Sequence, residues 1–315
     1  MNSWIVRGLL AGLLLFVSEI VLWTDPAGRP PIEWPLLAVG YLALGALLLD
    51  FAARYRLRDV FSLLALAGIY GLLNSLALNP QTALADVPRT WATRVLGAHT
   101  LVGFGALLLF LLLTSARVNR LWLAAPLAGA LWGIWVRGLP AFTDITAEPA
   151  TLPVLLIAGG LTLAVVILLS RLAVGRVQRL RDLTLRPVEW LAVSGLLGVL
   201  ILLNGSHIGM ASLLVLLALA GYCWLLLWFQ QRTEGATLLD ASMPPKAPSS
   251  FVLAALAGLY LGAAAIAHSL PFAADPGPFS LLIGLYAAFG LVWLPTVSLV
   301  LGVRSYRRLS RQRRL

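Results

Sequence analysis

Ionisable side chains are sparse in the apolar stretches of this chain, so each one is a candidate for chemistry. Glu19 lies in the first stretch, in LFVSEIVLWTDP, about one helical turn before Trp23. A carboxylate in a membrane segment is costly and is a functional candidate by default. Next to a water-accessible cavity, Glu19 could accept a proton, bind a cation or pair with Arg137. In the alternative, structural interpretation it reaches the nearby membrane interface or is paired there.

Further polar residues near the ends of the apolar stretches are typical of a binding site rather than of a metal centre. No two histidines have the spacing of a zinc site, so the sequence predicts no metal and no cofactor. Arg89 and Arg94 flank Trp91 in DVPRTWATR, which predicts a short amphipathic surface helix that either binds a phosphate or carboxylate or anchors the chain in the headgroups. The candidate solute-binding residues are Glu19, Asn74, Arg89, Arg94, His99, Arg137, Asn204, His207 and His268.

Membrane-spanning helices must position these residues. Of the 315 residues, 60% are hydrophobic and 11% are charged, whereas soluble domains have about 25% charged residues. Apolar runs of about 20 residues between Pro-rich turns predict an all-α, polytopic helix bundle. The first run is too long for a signal peptide and is interpreted as an uncleaved span. The ten predicted spans are 4–23, 35–53, 59–78, 95–115, 120–138, 152–171, 188–204, 209–229, 251–270 and 279–302.

The distribution of basic residues sets the predicted orientation. With a cytoplasmic N-terminus, ten spans return the C-terminus to the cytoplasm, and 19 of the 23 Lys and Arg residues lie on that side. The outer side keeps Arg29, Arg89, Arg94 and Arg137, together with all three histidines. The prediction is one transmembrane domain, 1–303, and a basic cytoplasmic tail, 304–315, in the plasma or inner membrane.

The predicted partner of the basic loops and tail is the anionic lipid headgroup layer at the cytoplasmic face. Topology accounts for these charges, so no nucleic-acid partner is expected. A membrane-protein partner or a homo-oligomer stays open as an alternative.

Several local patterns concern helix packing. FSLLALAGIY at 61–70 and FVLAALAGLY at 251–260 match at seven of ten positions, which indicates either a weak parallel repeat of spans 1–4 in spans 7–10 or chance recurrence. The motifs GLLAG (8–12), GALWG (129–133) and GLYLG (258–262) predict close helix contacts. Asp50 and Arg54 predict a structural i,i+4 ion pair. Pro295 predicts a kink in the last span.

No nucleotide-binding loop, catalytic motif or soluble domain accompanies the spans, which leaves three hypotheses. The first is a secondary transporter or permease for a small or anionic solute, with Glu19 as the coupling carboxylate. The second is a membrane-embedded transferase acting on a lipid-linked substrate at the outer face, in which the outer arginines hold a phosphate and Glu19, Asp25 or His99 is the acid or base. The third is a non-catalytic structural subunit of a membrane complex. The sequence favours the transporter and leaves enzyme activity undecided.

Overall fold

The described residues of the protein are helical or lie in turns, and no β-strand occurs among them. The structure is a computed structural model, and it describes residues 2–23, 29–115, 117–142, 150–173, 180–230, 236–240, 248–270 and 277–312. The all-α fold class is confirmed. The α-helices are α1 (Asn2–Leu15), α2 (Glu33–Arg54), α3 (Val60–Ala77), α4 (Pro80–Ala83), α5 (Thr100–Thr114), α6 (Leu121–Phe142), α7 (Leu152–Ala173), α8 (Pro187–Leu203), α9 (Met210–Gln230), α10 (Ser250–Ser269) and α11 (Gly277–Gln312).

Two segments of the described chain are π-helical, and short 3₁₀ turns occupy three connections. The π-helical segment Phe16–Val21 continues α1, and the segment Trp91–His99 leads directly into α5. The 3₁₀ turns are Val118–Arg120, Leu180–Leu183 and Gly205–His207. The two π-helical segments matter most here, because the first carries Glu19 and the second carries Arg94 and His99, all of them predicted site residues.

Within the described ranges, eight helices are long and apolar enough to cross a membrane. They are Ser3–Val21, Glu33–Arg54, Val60–Ala77, Trp91–Thr114, Leu152–Ala173, Met210–Gln230, Ser250–Ser269 and Ser280–Arg304. The other two predicted spans coincide with α6 and α8. Helix α8 has 17 residues, fewer than the roughly 20 that a bilayer core needs. In α6, tryptophan, glycine and proline lower the mean hydropathy. The count of ten and the sidedness of the termini therefore stay predictions.

The chain divides into two compact units, each assembled from segments far apart in sequence. Unit 1 comprises Met1–Leu42, Leu109–Gln178 and Ser242–Gly284. Unit 2 comprises Ala43–Leu108, Arg179–Ala241 and Leu285–Leu315. In unit 1, α10 packs on α6 and α7, and α1 packs on α7. In unit 2, α3 packs on α8, α9 and the π-helical segment that leads into α5.

The close packing of α6 on α10 depends on glycine. A Cβ atom on Gly129 would lie 2.0 Å from the backbone oxygen of Tyr260, and one on Gly133 would lie 2.2 Å from that of Ala264. The motif at 129–133 therefore brings two backbones into contact, as predicted. The motif at 8–12 makes ordinary contacts, since a Cβ on Gly12 would lie 3.5 Å from Leu169. For the motif at 258–262, the described atoms leave open space around both glycines.

The end of α2 and the connection that follows it bind two other segments of unit 2. Arg54 donates to the Asp50 carboxylate from Nε at 3.1 Å and from Nη2 at 2.9 Å, which confirms the predicted ion pair. The backbone N–H of Leu185, just before α8, also donates to Asp50 Oδ1, at 2.8 Å. The Leu238 N–H donates to the carbonyl of Leu57 at 2.8 Å. Asp50 is completely buried, and its carboxylate links α2 to the segment that precedes α8.

Replacing Asp50 with asparagine is expected to destabilise the protein by about 1–2 kcal/mol. Hydrogen bonds to a charged group contribute roughly 1.5–3 kcal/mol, and solvent screening reduces the effect here because the Arg54 side chain is 46% exposed. Thermal unfolding in detergent measures the change. Asp86→Asn is the control, since that carboxylate is 67% exposed and lies 4.0 Å from Arg89. Equal unfolding temperatures for the two variants would count against the linking role of Asp50.

Helix α11 runs through Pro295 without a break, and it continues past residue 304 to Gln312. Proline removes the N–H donor for the carbonyl of Leu291. The neighbouring carbonyls of Val292 and Leu294 accept from the hydroxyls of Thr296 at 2.8 Å and Ser298 at 2.6 Å. The helix therefore continues past Pro295, the predicted kink stays a prediction, and the start of the basic tail is part of α11.

Candidate functional site

Glu19 is a buried carboxylate at the end of the first span, and two side chains contact it. It lies in the π-helical segment Phe16–Val21, and 1% of the residue is exposed. The Tyr41 hydroxyl of α2 donates to Oε1 at 2.5 Å. Arg29 Nε lies 2.9 Å from Oε2. Glu19 is therefore paired with a phenol and a guanidinium inside unit 1.

Arg29 is shared between two carboxylates and an aromatic ring. Besides Glu19, it contacts Glu33, with Nη1 3.3 Å from Oε2, and its guanidinium lies 4.8 Å from the centre of the Trp23 ring. The Arg29 side chain is 19% exposed. Two carboxylates exceed its single positive charge, so Arg29 holds Glu19 in place instead of presenting free positive charge. The hypothesis that Arg137 pairs with Glu19 is wrong, because Arg29 precedes α2 and occupies that position.

The π-helical backbone around Glu19 is held by two indoles from α6. A π-helix replaces i→i+4 bonds with i→i+5 bonds and occurs frequently at functional sites. Here the N–H of Leu22 donates to the carbonyl of Val17 at 3.2 Å. Trp132 Nε1 donates to the Ile20 carbonyl and Trp135 Nε1 to the Leu22 carbonyl, both at 3.0 Å. Helix α6 thus fixes the backbone that immediately follows Glu19.

An aromatic cluster packs against the same π-helical segment. Trp132 stacks on Tyr260 with ring centres 5.4 Å apart and an interplanar angle of 20°. Phe16 meets Tyr260 edge-on at 5.7 Å. These rings belong to one buried cluster with Ile20 and Ala264. The rings come from the π-helical segment itself, from α6 and from α10, so the position of Glu19 depends on the tight α6–α10 contact.

Arg137 and His268 are brought together in unit 1, but through backbone groups. Arg137 donates from Nη1 to the backbone carbonyl of His268. His268 Nε2 lies 3.0 Å from the carbonyl of Ala150, and a carbonyl can only accept, so this nitrogen carries the proton. The two side chains tie α6 and α10 to the residue that precedes α7. Their predicted role in solute binding stays a prediction.

Unit 2 contains a second buried polar cluster, between α3 and the π-helical segment Trp91–His99. Asn79 Nδ2 donates to Asn74 Oδ1 at 3.4 Å, and Asn74 Nδ2 lies 3.0 Å from His99 Nδ1. Asn74 is completely buried and His99 is 6% exposed. Asn204, at the end of α8, donates from Nδ2 to the carbonyl of Ala77 at 2.9 Å, which fixes the end of α3 near this cluster.

The segment predicted as a separate surface helix is instead the start of a span. The helix begins at Arg89 and continues through Trp91–His99 into α5. Helix α11 packs backbone to backbone on it, because a Cβ on Gly290 would lie 2.1 Å from the carbonyl oxygen of Ala92. Trp293 Nε1 also donates to the Leu96 carbonyl at 2.9 Å. The predicted helix is therefore not separate from the span: it continues into α5, and α11 packs on it.

The remaining arginines of the prediction have different surroundings. Arg94 donates from Nη1 to the backbone carbonyl of Thr82 at 2.6 Å and is exposed. The Arg89 side chain is 72% exposed and lies 4.0 Å from Asp86. Exposed pairs at such a distance contribute little. Arg94 is the stronger candidate of the two for binding an anion, because its partner is a backbone carbonyl and the neighbour of Arg89 is a carboxylate.

The nine candidate residues fall into two sets, one in each unit. Glu19, Arg137 and His268 belong to unit 1, and Asn74, Arg89, Arg94, His99 and Asn204 belong to unit 2. The backbone of His207 lies in the 3₁₀ turn of unit 2, and its side chain is outside the described residues. No group of three or more His, Cys, Asp or Glu side chains that could hold a metal ion occurs in the described ranges.

Sequence reasoning missed three residues that complete these clusters. Arg29 had a usable signal, because it lies four residues before Glu33 and against the positive-inside trend. Asn79 follows Asn74 by five residues, a spacing that only an i→i+5 turn brings together. Tyr41 had no signal, since its contact with Glu19 joins neighbouring spans and depends on how they pack.

Comparison of the chain with protein-family models, with curated proteins and with solved structures found no significant match. Its class therefore rests on its own helices and buried polar groups. In the part of the chain that the structure describes, eight apolar helices of spanning length indicate a multi-pass integral membrane protein.

Proposed function

We propose that this protein is a proton-linked secondary transporter or permease for a small anionic solute, with Glu19 as the proton-carrying group. The observation that supports this function is a completely buried carboxylate in a membrane span, held by a phenol and a guanidinium. Acidic residues within membrane spans are rare, and they commonly mark proton or ion pathways.

The contacts of Glu19 give proton binding a structural consequence. The ionised carboxylate attracts Arg29 and accepts the Tyr41 hydrogen bond. Protonation removes the negative charge, so Arg29 keeps Glu33 as its acid partner and its attachment to Glu19 weakens. The π-helical segment is then held less firmly to α2. A ligand or proton shifts a conformational equilibrium only through such differential contacts.

The transferase hypothesis fits this site less well. That hypothesis assigns the phosphate to the outer arginines Arg89, Arg94 and Arg137, whereas the guanidinium beside Glu19 is that of Arg29. Arg29 already contacts two carboxylates, at 2.9 and 3.3 Å. A phosphate would have to displace one of them, so the pair Glu19–Arg29 is better suited to carrying a proton than to binding a phosphate.

Glu19→Gln is expected to abolish solute-driven proton movement. Glutamine keeps the size and one hydrogen-bond acceptor of the side chain but cannot release a proton at neutral pH. The measurement uses proteoliposomes loaded with the pH-sensitive dye pyranine, to which a panel of small carboxylates and inorganic phosphate is added. The wild-type protein should acidify the lumen with at least one anion of the panel.

Glu33→Gln is the matched control for this experiment. It removes the other carboxylate from Arg29, but its side chain is 46% exposed, so it should retain at least half of the proton flux. Equal flux in wild type and Glu19→Gln would overturn the proton-carrying role. Absence of flux with every anion in the wild type would favour a structural subunit.

A further inference from the structure

The polar cluster of unit 2 is a directed chain of hydrogen-bond donors. Asn79 donates to Asn74 Oδ1, which orients the Asn74 amide so that Nδ2 faces the imidazole of His99 at 3.0 Å. An amide nitrogen can only donate, so Nδ1 of His99 is the acceptor. The neutral ring then carries its proton at Nε2. The two asparagines therefore fix His99 as a donor through Nε2.

The backbone that carries His99 is closely packed against neighbouring helices. A Cβ on Gly71 of α3 would lie 2.6 Å from Thr100 Oγ1, and one on Gly97 would lie 2.5 Å from the carbonyl oxygen of Tyr286. The Thr100 hydroxyl donates to the Val95 carbonyl at 3.1 Å. Helices α3 and α11 thus fix the imidazole in position, as a binding site requires.

Arg94 adds positive charge on the same side of this π-helical segment. It precedes His99 by five residues, one hydrogen-bonded turn of a π-helix. Its guanidinium lies close enough to act electrostatically on the His99 ring. In contrast to Arg29, its hydrogen bond among the described residues goes to the backbone carbonyl of Thr82 and not to a carboxylate. Arg94 can therefore attract an anion.

We propose that Arg94 and His99 form a binding site for an anionic oxygen, the carboxylate or phosphate of a solute or of a lipid headgroup. Arg94 supplies the charge, and His99 Nε2–H supplies a directed hydrogen bond. Charge-assisted hydrogen bonds of this kind are about twice as strong as neutral ones. Identifying the bound anion as the transported solute rests on the proposed function, whereas the binding itself does not.

The test measures thermal unfolding of the purified protein with added acetate, inorganic phosphate, or micelles of phosphatidylglycerol or phosphatidylcholine. A ligand that binds the folded state raises the unfolding temperature. At least one anionic probe should raise it in the wild type, and phosphatidylcholine should not. A rise with acetate or phosphate identifies a free anion, and a rise with phosphatidylglycerol alone identifies a headgroup. No rise with any anionic probe overturns the proposal.

Two substitutions of His99 separate binding from structure. His99→Asn places an acceptor near the Nδ1 position and keeps the Asn74 contact, but it has no group at the Nε2 position. His99→Gln places an N–H near the Nε2 position and loses the Asn74 contact. Anion affinity should fall at least about tenfold in His99→Asn and be largely retained in His99→Gln. Wild-type affinity in His99→Asn overturns the proposal.

Arg94→Gln keeps the test decisive even where changes at the buried His99 disturb folding, because Arg94 is exposed. It should weaken anion binding about as much as His99→Asn does, and unchanged affinity overturns the proposal. Glu19→Gln should retain the anion-induced rise, since it lies in unit 1. The anion site and the proton-carrying role of Glu19 can therefore fail independently.

Discussion

Gly129→Ala and Gly133→Ala are each expected to destabilise the protein by about 1–3 kcal/mol, which is the typical cost of overpacking. The added Cβ would lie 2.0 Å or 2.2 Å from a backbone carbonyl oxygen of α10. Backbone atoms cannot move aside as the end of a side chain can, so α6 and α10 must separate. The separation would also disturb Trp132, which donates to Ile20 beside Glu19.

The chain offers a matched control for this prediction in the motif at 258–262. Gly258 and Gly262 have the same spacing, but the described atoms leave open space around them. Alanine is favoured over glycine inside a helix by roughly 1 kcal/mol, so Gly258→Ala and Gly262→Ala should be neutral or stabilising. Unfolding temperature and size-exclusion profile in detergent measure the difference. An effect of the same sign and size at both motifs would rule out the backbone contact as the cause.

The second large effect is expected from Arg29→Gln, which should cost about 3–5 kcal/mol. Removing one partner of a buried ion pair leaves the other charge uncompensated, and this penalty exceeds the value of the intact pair. The Glu19 side chain is completely buried, so water cannot replace the guanidinium. The measurement is thermal or denaturant unfolding, compared with Arg89→Gln, whose side chain is 72% exposed and which should change stability by less than about 1 kcal/mol.

A double substitution shows whether the cost comes from the pair itself. Arg29→Gln combined with Glu19→Gln removes both charges, and much of the stability lost in Arg29→Gln should return. A coupling energy of 0.5–3 kcal/mol is typical of residues in direct contact, so a value of about 1–3 kcal/mol is expected. Additive effects would show that Arg29 stabilises the chain through other contacts.

The positions of the spans could be predicted because apolar length determines them locally. The span predicted at 152–171 is observed as Leu152–Ala173, and that predicted at 209–229 as Met210–Gln230. The Asp50–Arg54 pair was predicted for the same reason, since i,i+4 neighbours meet on any helix. The third contact of Asp50, from the backbone of Leu185, joins residues far apart in sequence and depends on tertiary packing.

The candidate site was only partly predictable, because its partners come from packing between spans. Glu19 stood out as an acid in an apolar run, but Tyr41 resembles any other aromatic residue of a span. The three G-x-x-x-G motifs look alike, and their difference lies in the helix that each one meets. The π-helical segment Trp91–His99 also escaped prediction, because α11 stabilises it from a distant part of the chain.

The most direct test of Glu19 as a proton carrier is infrared difference spectroscopy of the protein in lipid as the pH is changed. A protonated carboxyl band should appear on acidification, persist in Glu33→Gln and be absent in Glu19→Gln. The same band should change when a transported anion is added. A Glu19 that stays ionised at every pH at which the protein moves solute would contradict the proposed mechanism.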